Sequence, residues 1–490
     1  MKYIYFFIFI FYFSSSFSQF EVIIETEEIP FYYMYDPLRI IETNNGNLFI
    51  SQKNYPNRVL RLYKIDDNGE VLLTNILDTS NFTSNNNVQS SPFHDDHILI
   101  MGQDKIYSNN PCFIELDENL EILEKNILPF PMANQDSINS LNFISFMFNK
   151  DGNLTFNTRV SYENYSTSGS MLYEIDILTK DTLKTTTLPL HTSNLSLSDI
   201  IQMNYKYYLL SDTGLDYYII KLEENVSDIN FTYLNSIVME DMDGIIYPNG
   251  VKRRAKILTD STFIVSFLMN RFFDGSYPHS DDFCLASIIL DTNFNVLNVN
   301  HSFDDDNNDV RNCINRNLDF TDKNNIFQVG VTNIDSMLFA NAKGANAIMI
   351  NIMDGELNLK SQHFYGYDGV SCYEAADMIA TQDGGCAVAS VRYIYENPVL
   401  IYGSILLSTD LHLLKVNQYG TLTPINNEKE VEISSMKLAY CYPNPAKDFF
   451  YVRYGAHLKN VSIENKFCVF SKKNFFSKFV QNFNVFKSKN

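Results

Sequence analysis

"MIATQDGGCAVAS", Met378 to Ser390, is an apolar run, a tight polar turn and a second apolar run. The turn residues Asp383, Gly384 and Gly385 provide the side-chain bonding and the positive φ that a short hairpin connection needs. The segment therefore reads as two antiparallel strands. The same form recurs upstream, as IIETNNGNLFIS (Ile40–Ser51), SSPFHDDHILIM (Ser90–Met101) and FMFNKDGNLTFN (Phe146–Asn157). It returns as IIQMNYKYYLLS (Ile200–Ser211), KILTDSTFIVSF (Lys256–Phe267) and LDFTDKNNIFQVG (Leu318–Gly330). Repetition at a fixed spacing marks an array of one supersecondary unit.

A second hairpin follows in most units. LYKIDDNGEVLLTNIL (Leu62–Leu77), CFIELDENLEILEKNIL (Cys112–Leu128) and IIKLEENVSDINFTYL (Ile219–Leu234) show it, as do LASIILDTNFNVLNV (Leu285–Val299) and AIMINIMDGELNLKS (Ala347–Ser361). Apolar and polar residues alternate in these runs, and no segment carries a helical period. Two hairpins per unit and seven units predict an all-β chain folded as a seven-bladed β-propeller, with six or eight blades as the alternatives. The strand FEVIIET (Phe20–Thr26) has no sequence partner of its own. It is expected to pair into the last blade and close the ring, because an open ring would leave unpaired edges.

Composition narrows the function classes. The 490 residues carry a formal charge of −21, which excludes direct binding to nucleic acid or to an anionic membrane, since both demand clustered Lys and Arg. Lys2 precedes the apolar run Ile4–Phe13, and Ser14 to Ser18 supply small residues before Gln19. That pattern predicts a secretory signal over residues 1–18, too short an apolar run to span a bilayer. No transmembrane segment is expected. The seven cysteines are thinly spread and odd in number, so buried free thiols are the favoured reading, with Cys372–Cys386 the first pair to test.

In a propeller, the turns inside the hairpins share one face. The loops between hairpins lie on the other face, with the blade connectors. Four of those loops are long and rich in aromatics and Arg: Lys53–Val59, Arg159–Gly169, Arg271–Asp282 and Arg392–Pro398. Binding residues tend to sit on loops held by a rigid scaffold. The candidate binding set is therefore Tyr55, Arg58, Arg159, Tyr162, Tyr165, Arg271, Phe272, Tyr277, Arg392 and Tyr393, for a glycan or protein ligand. The alternative is a polysaccharide hydrolase or lyase using loop carboxylates such as Asp274, Asp281 and Asp282, with His279 nearby. No catalytic residue is assigned, and the chain is read as more a binder than an enzyme.

Metal signals are weighed the same way. His94-Asp95-Asp96-His97 occupies the turn position of Asn44-Asn45-Gly46, so the repeat already explains it, and no metal ligand is assigned. Asp304, Asp305 and Asp306, with Asp309, could gather oxygen ligands for Ca²⁺, but no Gly follows as a calcium loop requires. A solvated acidic loop without a cofactor is the favoured reading. No phosphate loop, dinucleotide fingerprint or Gly-x-Ser-x-Gly elbow occurs. A chain without Trp also lacks the Trp-containing boxes of sialidase-type and quinone-dependent propellers.

Two stretches resemble known families. Thr381-Gln382-Asp383-Gly384-Gly385 resembles the Thr-x-Asp-Gly-Gly repeat of large secreted bacterial propeller proteins. After a charged linker, residues 426–437, the sequence LAYCYPNPAKDFFYVRYGAHLKNVSI resembles the opening of the type A C-terminal sorting domain of type IX secretion cargo. Tyr442, Pro443, Asn444, Pro445, Ala446 and Asp448 match that family's first motif, Phe449–Tyr454 its first strand and Val461–Ile463 its second. The resemblance implies export across both membranes, with the type IX machinery as partner and release or display at the outer-membrane surface as the outcome. The expected organisation is a signal (1–18), a propeller (19–425), the linker, a partial sorting domain (438–464) and an aberrant tail (465–490). That tail has no Gly and no acidic residue, and it departs from the family's closing strands. It is expected to be unstructured and to impair sorting.

Overall fold

The computed structural model describes strands and tight turns within residues 19–422, together with 439–443 and 450–454. Outside it lie segments 1–18, 26–37, 55–58, 105–109, 129–137, 163–167, 188–195, 213–216, 223–228, 235–243, 247–253, 272–282, 303–309, 333–345, 367–370, 396–405, 423–438, 444–449 and 455–490, and a few shorter pieces.

The first strand is β1 (Phe20–Glu25). Blade 1 comprises β2 (Leu38–Glu42), β3 (Leu48–Asn54), β4 (Val59–Ile65) and β5 (Val71–Leu77). Blade 2 has β6 (Phe82–Ser90), β7 (Ile98–Asp104), β8 (Pro111–Leu116) and β9 (Ile122–Ile127). Blade 3 has β10 (Ile138–Phe148), β11 (Leu154–Tyr162), β12 (Ser168–Ile175) and β13 (Thr182–Thr187). Blade 4 has β14 (Ser196–Met203), β15 (Lys206–Asp212), β16 (Tyr217–Leu222) and β17 (Ile229–Tyr233). Blades 5 and 6 each split the inner strand in two. Blade 5 is β18 (Gly244–Ile246), β19 (Arg254–Thr259), β20 (Thr262–Arg271), β21 (Phe283–Asp291) and β22 (Val296–Ser302). Blade 6 is β23 (Val310–Asn312), β24 (Leu318–Asp322), β25 (Asn325–Thr332), β26 (Ile348–Met353) and β27 (Leu359–Tyr365). Blade 7 adds β28 (Ser371–Ala380), β29 (Cys386–Tyr395) and β30 (Leu406–Val416).

Each blade is an antiparallel meander, so the chain is an all-β, seven-bladed propeller. Its ring closes through β1, which pairs with β30 as the outer strand of blade 7, Phe20 opposite Lys415 and Glu25 opposite Asp410. This is the closure that the unpartnered N-terminal strand predicted. All seven hairpins read from the turns are present. Blade 3 also has a second hairpin that its sequence concealed, because its turn, Asp176 to Asp181, contains neither the Asn nor the Gly that marks the other second-hairpin turns.

The core lies between blades rather than within them. Leu38, Ile40, Leu48 and Ile50 of blade 1 pack with Ala387, Ala389, Leu411 and Leu413 of blade 7, and Phe20 joins the same layer. Blades 1 and 2 share Leu60, Leu62, Ile98, Ile100, Leu116 and Leu120. Burying a side chain of this size contributes about 1.5–3 kcal/mol, so neighbouring blades hold one another together.

Carboxylates on the inner strands tie blade to blade. Asp199 accepts from the Ala255 N–H at 2.9 Å, Asp319 from Ala380 N–H at 2.9 Å, and Asp377 from Ile40 N–H at 3.0 Å. Arg316 also grips Asp377, 2.6 Å from its Oδ2. Burial would raise the Asp377 carboxyl, but Arg316, Arg39 and the Ile40 N–H hold it below the ordinary carboxylate range.

Cys112, Cys284, Cys313, Cys372 and Cys386 are buried and are not in disulfides. Cys372 lies opposite Tyr393 and Cys386 opposite Ala380, at the two ends of one hairpin. Eight residues of strand separate them by roughly 26 Å, which no disulfide bridges. Separately, β31 (Ala439–Pro443) and β32 (Phe450–Tyr454) form a two-stranded antiparallel sheet, with Pro443 opposite Phe450. Tyr442 and Pro443 end its first strand; Asn444, Pro445, Ala446 and Asp448 lie outside the described residues, as do Val461–Ile463 and the tail. Among the described residues, no helix is long and apolar enough to cross a membrane.

Candidate functional site

One turn design recurs on the face that carries the hairpin turns. An Asp or Asn accepts two backbone N–H bonds from residues two and four positions on. Asp66 does so from Asn68 and Glu70, Asp117 from Asn119 and Glu121, and Asn149 from Asp151 and Asn153. Asp291, Asp354 and Asn417 repeat the pattern. In the second hairpins of blades 1, 2, 5 and 6, the fourth turn residue has positive φ: Gly69 (83°), Leu120 (62°), Phe294 (69°) and Leu357 (61°). Leu120 and Leu357 are buried. Their carbonyls accept from Asn75 and Asn300 of the preceding blade, at 2.7 and 2.9 Å. Each such turn is a knob held by its neighbour.

The third strand places its residue two before that turn Asp or Asn beside the first hairpin's turn. The occupants are Lys64, Glu115, Glu174 and Lys415 in blades 1, 2, 3 and 7. In blade 3, Glu174 Oε1 accepts from Asn149 Nδ2 at 2.7 Å and Asn153 Nδ2 at 3.1 Å. In blade 7, Lys415 Nζ lies 3.0 Å from Asp383. In blade 2, Glu115 Oε1 meets Ser91 Oγ at 3.0 Å and both His94 Nδ1 and His97 Nδ1 at 3.1 Å. The two imidazole centroids are 4.6 Å apart.

Between blades 3 and 4, on the same face, lies a crevice of about 210 Å³. Glu174, Lys184, Gln202, Tyr205 and Tyr207 are among its lining residues, with Leu172 and Leu222. Asn204 and Tyr205 both have positive φ, which makes a tight hairpin turn and leaves Tyr205 53% exposed at the rim. Asn204 Nδ2 donates to the Asp260 carbonyl of blade 5 at 2.8 Å, and so pins that turn. Tyr207 Oη lies 3.3 Å from Thr155 Oγ1.

The sequence-derived binding set is placed unevenly. Tyr55, Arg58, Tyr165, Phe272 and Tyr277 lie outside the described residues, as do Asp274, His279, Asp281 and Asp282. Asp304, Asp305, Asp306 and Asp309 lie outside them too. Arg159 and Tyr162 fall in β11, and Arg271 ends β20, all toward the loop face. The reading of Tyr393 as a loop residue is corrected. It sits in β29, is buried, and donates to Glu374 Oε2 at 3.0 Å. Arg392 likewise belongs to β29, with Nε donating to Ser371 Oγ at 2.9 Å and Asp410 3.7 Å away. The period-two inward placement of Val391 and Tyr393 carries the strand beyond where its polar residues suggested a loop.

No family model and no curated protein matches this chain. Among solved structures, the Dos1 propeller is 9% identical over 77% of this chain and 76% of its own, with a TM-score of 0.39. A europium-containing methanol dehydrogenase is 11% identical over 76% and 80%, with a TM-score of 0.39. An acylaminoacyl peptidase in complex with Z-Gly-Gly-Phe-chloromethyl ketone is 10% identical over 77% of this chain and 53% of that one, with a TM-score of 0.42. The seven-bladed architecture rests on the strand pairing itself.

Proposed function

We propose that this propeller is a glycan-binding module, exported and then released or displayed at the cell surface. The observation that carries binding is the crevice between blades 3 and 4. Ligand pockets that engulf a small molecule occupy roughly 300–1,000 Å³, and this crevice is smaller. Its size suits one residue of an extended polymer. Tyr205 offers an aromatic face for a sugar ring, while Glu174, Lys184 and Gln202 offer hydrogen-bonding groups for hydroxyls. These residues stand on strands and on one pinned hairpin turn, so little ordering entropy opposes binding.

The export route rests on the apolar N-terminal run before Gln19 and on the Tyr442–Asp448 motif. A glycan array probed with the mature chain tests the binding. Specific glycan signals that fall at least tenfold in Tyr205→Ala support it. An array without specific signals, or binding unaffected by Tyr205→Ala, argues for another surface or another ligand. For the route, a reporter fused to residues 436–490 is expected to reach the cell surface poorly, because the tail departs from the family pattern. Efficient surface delivery would show that the sorting domain is intact.

A further inference from the structure

We propose that His94, His97 and Glu115 form a zinc-type divalent metal site on the turn face of blade 2. The donor set is two imidazole nitrogens and one carboxylate oxygen, and these atoms all lie within 4.8 Å of one another. Two nitrogens with one carboxylate suit zinc and its borderline neighbours, whereas Ca²⁺ and Mg²⁺ take oxygen ligands. With metal–ligand bonds of 2.0–2.2 Å at tetrahedral angles, neighbouring donor atoms stand about 3.4 Å apart. Both Nδ1 atoms are 3.1 Å from Glu115 Oε1, so two of the three separations are near that value. Small rotations of the rings bring the third in.

The turn is built to hold this arrangement. Ser91 N–H donates to the His97 carbonyl at 2.8 Å and closes the loop. The two intervening acids face away from the histidines, toward blade 1. Asn44 Nδ2 donates to Asp95 at 2.8 Å, and Asp96 receives Asn47 Nδ2 at 3.0 Å and the Thr43 hydroxyl. Lys64 lies 3.5 Å from Asp96. Asp96 has φ of 60°, a conformation that Asp tolerates better than most residues and that these contacts fix. The acids are therefore anchors, and the histidines are what the turn presents. Glu115 is 12% exposed and His97 17%, while His94 is 58% exposed. The carboxylate and one imidazole are thus set in the wall, and the open side leaves a fourth position for water or a ligand atom.

Binding needs no net loss of protons from neutral rings. Without metal, each Nδ1 carries the proton that it donates to the Glu115 carboxylate; on binding, that proton moves to Nε2, Nδ1 becomes the metal donor, and the carboxylate exchanges two hydrogen bonds for one metal bond.

The test is titration of EDTA-treated, full mature chain with ZnCl2 by calorimetry, beside thermal unfolding with and without zinc. The expected result is one zinc per chain, a raised unfolding midpoint, and no comparable effect of MgCl2 or CaCl2. Glu115→Gln and His97→Asn are each expected to weaken the affinity at least tenfold. His94→Ala removes an exposed ligand, so it decides the matter if either inner variant fails to fold. The absence of one-to-one zinc binding in the parent protein would overturn the proposal. So would unchanged affinity in His94→Ala, which would place the zinc elsewhere.

Discussion

Blades 2 and 3 share one scaffold and use it differently. Both place a glutamate two residues before the second hairpin's turn, Glu115 and Glu174, and both aim it at the first hairpin's turn. In blade 3 two asparagine amides donate to it. In blade 2 a serine and two histidines meet it. The carboxylate's chemistry is set by what the turn delivers to it. Blade 1 sharpens the contrast, with Lys64 at that position and Gly69 where blade 2 has Leu120. Repetition of the fold thus fixes where side chains meet, and local turn sequence decides what the meeting does.

The largest effect is expected from giving blade 1 the turn residue of blade 2. A Cβ at Gly69 would lie 2.7 Å from Phe20 and Val22 of β1, the strand that closes the ring. Gly69→Leu should cost about 3 kcal/mol, from overpacking at the seam and from a left-handed φ that glycine alone adopts freely. At this chain length that lowers the thermal midpoint by roughly 3–4 °C. An unchanged midpoint would show that β1 yields, and that the seam contributes little.

A smaller effect separates the two glutamate turns. Asn149 is nearly fully buried, accepts two backbone N–H bonds and donates to Glu174. The Ser91 hydroxyl donates to Glu115 Oε1 at 3.0 Å. Asn149→Ala should therefore cost about 2–3 kcal/mol and Ser91→Ala about 1 kcal/mol, by thermal or denaturant unfolding without metal. Equal costs would mean that the blade 2 turn depends on Ser91 as heavily as blade 3 depends on Asn149.

Blade 7 offers a third version, in which Lys415 pairs with Asp383 beside Glu42 of blade 1. Burial pushes the Glu42 carboxyl from 4.5 up to about 7, against the Gln382 N–H and the Lys415 charge. The folded state then holds a proton that the unfolded state releases. The contribution of neutral Glu42 is full below pH 4.5 and is lost as pH rises through about 7. The unfolding midpoint of the parent chain should fall relative to Glu42→Gln between pH 5 and pH 8. Parallel curves for the two proteins would exclude a raised Glu42.

The sequence exposed the blades because hairpin turns need Asn, Asp or Gly, and those residues recur at even spacing. It concealed the second hairpin of blade 3, whose turn has neither Asn nor Gly, and it misread Arg392 and Tyr393, which continue a strand into the stretch taken as a loop. The His94–His97 turn was visible, but its third partner was not. Glu115 lies on β8, 18 residues beyond His97, and nothing local links the two. Aligning the repeats on the turn Asp or Asn would have found it, since Lys64, Glu115, Glu174 and Lys415 then fall in one column. The crevice between blades 3 and 4 has no such signal, because it arises from two turns packing across a blade boundary.

The smallest effect tests whether the carboxylate and one imidazole suffice for metal. The blade 2 turn runs from Ser91 to His97, and its blade 3 counterpart from Asn149 to Asn153, each closed by the same backbone bond. Blade 2 is longer by two residues, and that insertion carries His94 back over the glutamate. His97 corresponds to Asn153. Asn153→His should thus place one imidazole beside Glu174, with no second nitrogen to complete the set. In a His94→Ala background, where the blade 2 site is disabled, Asn153→His should add no zinc-dependent rise in the unfolding midpoint. A rise would show that turn length is irrelevant and that any histidine beside the repeat's glutamate captures the ion. The longer turn, rather than the glutamate, is what distinguishes blade 2.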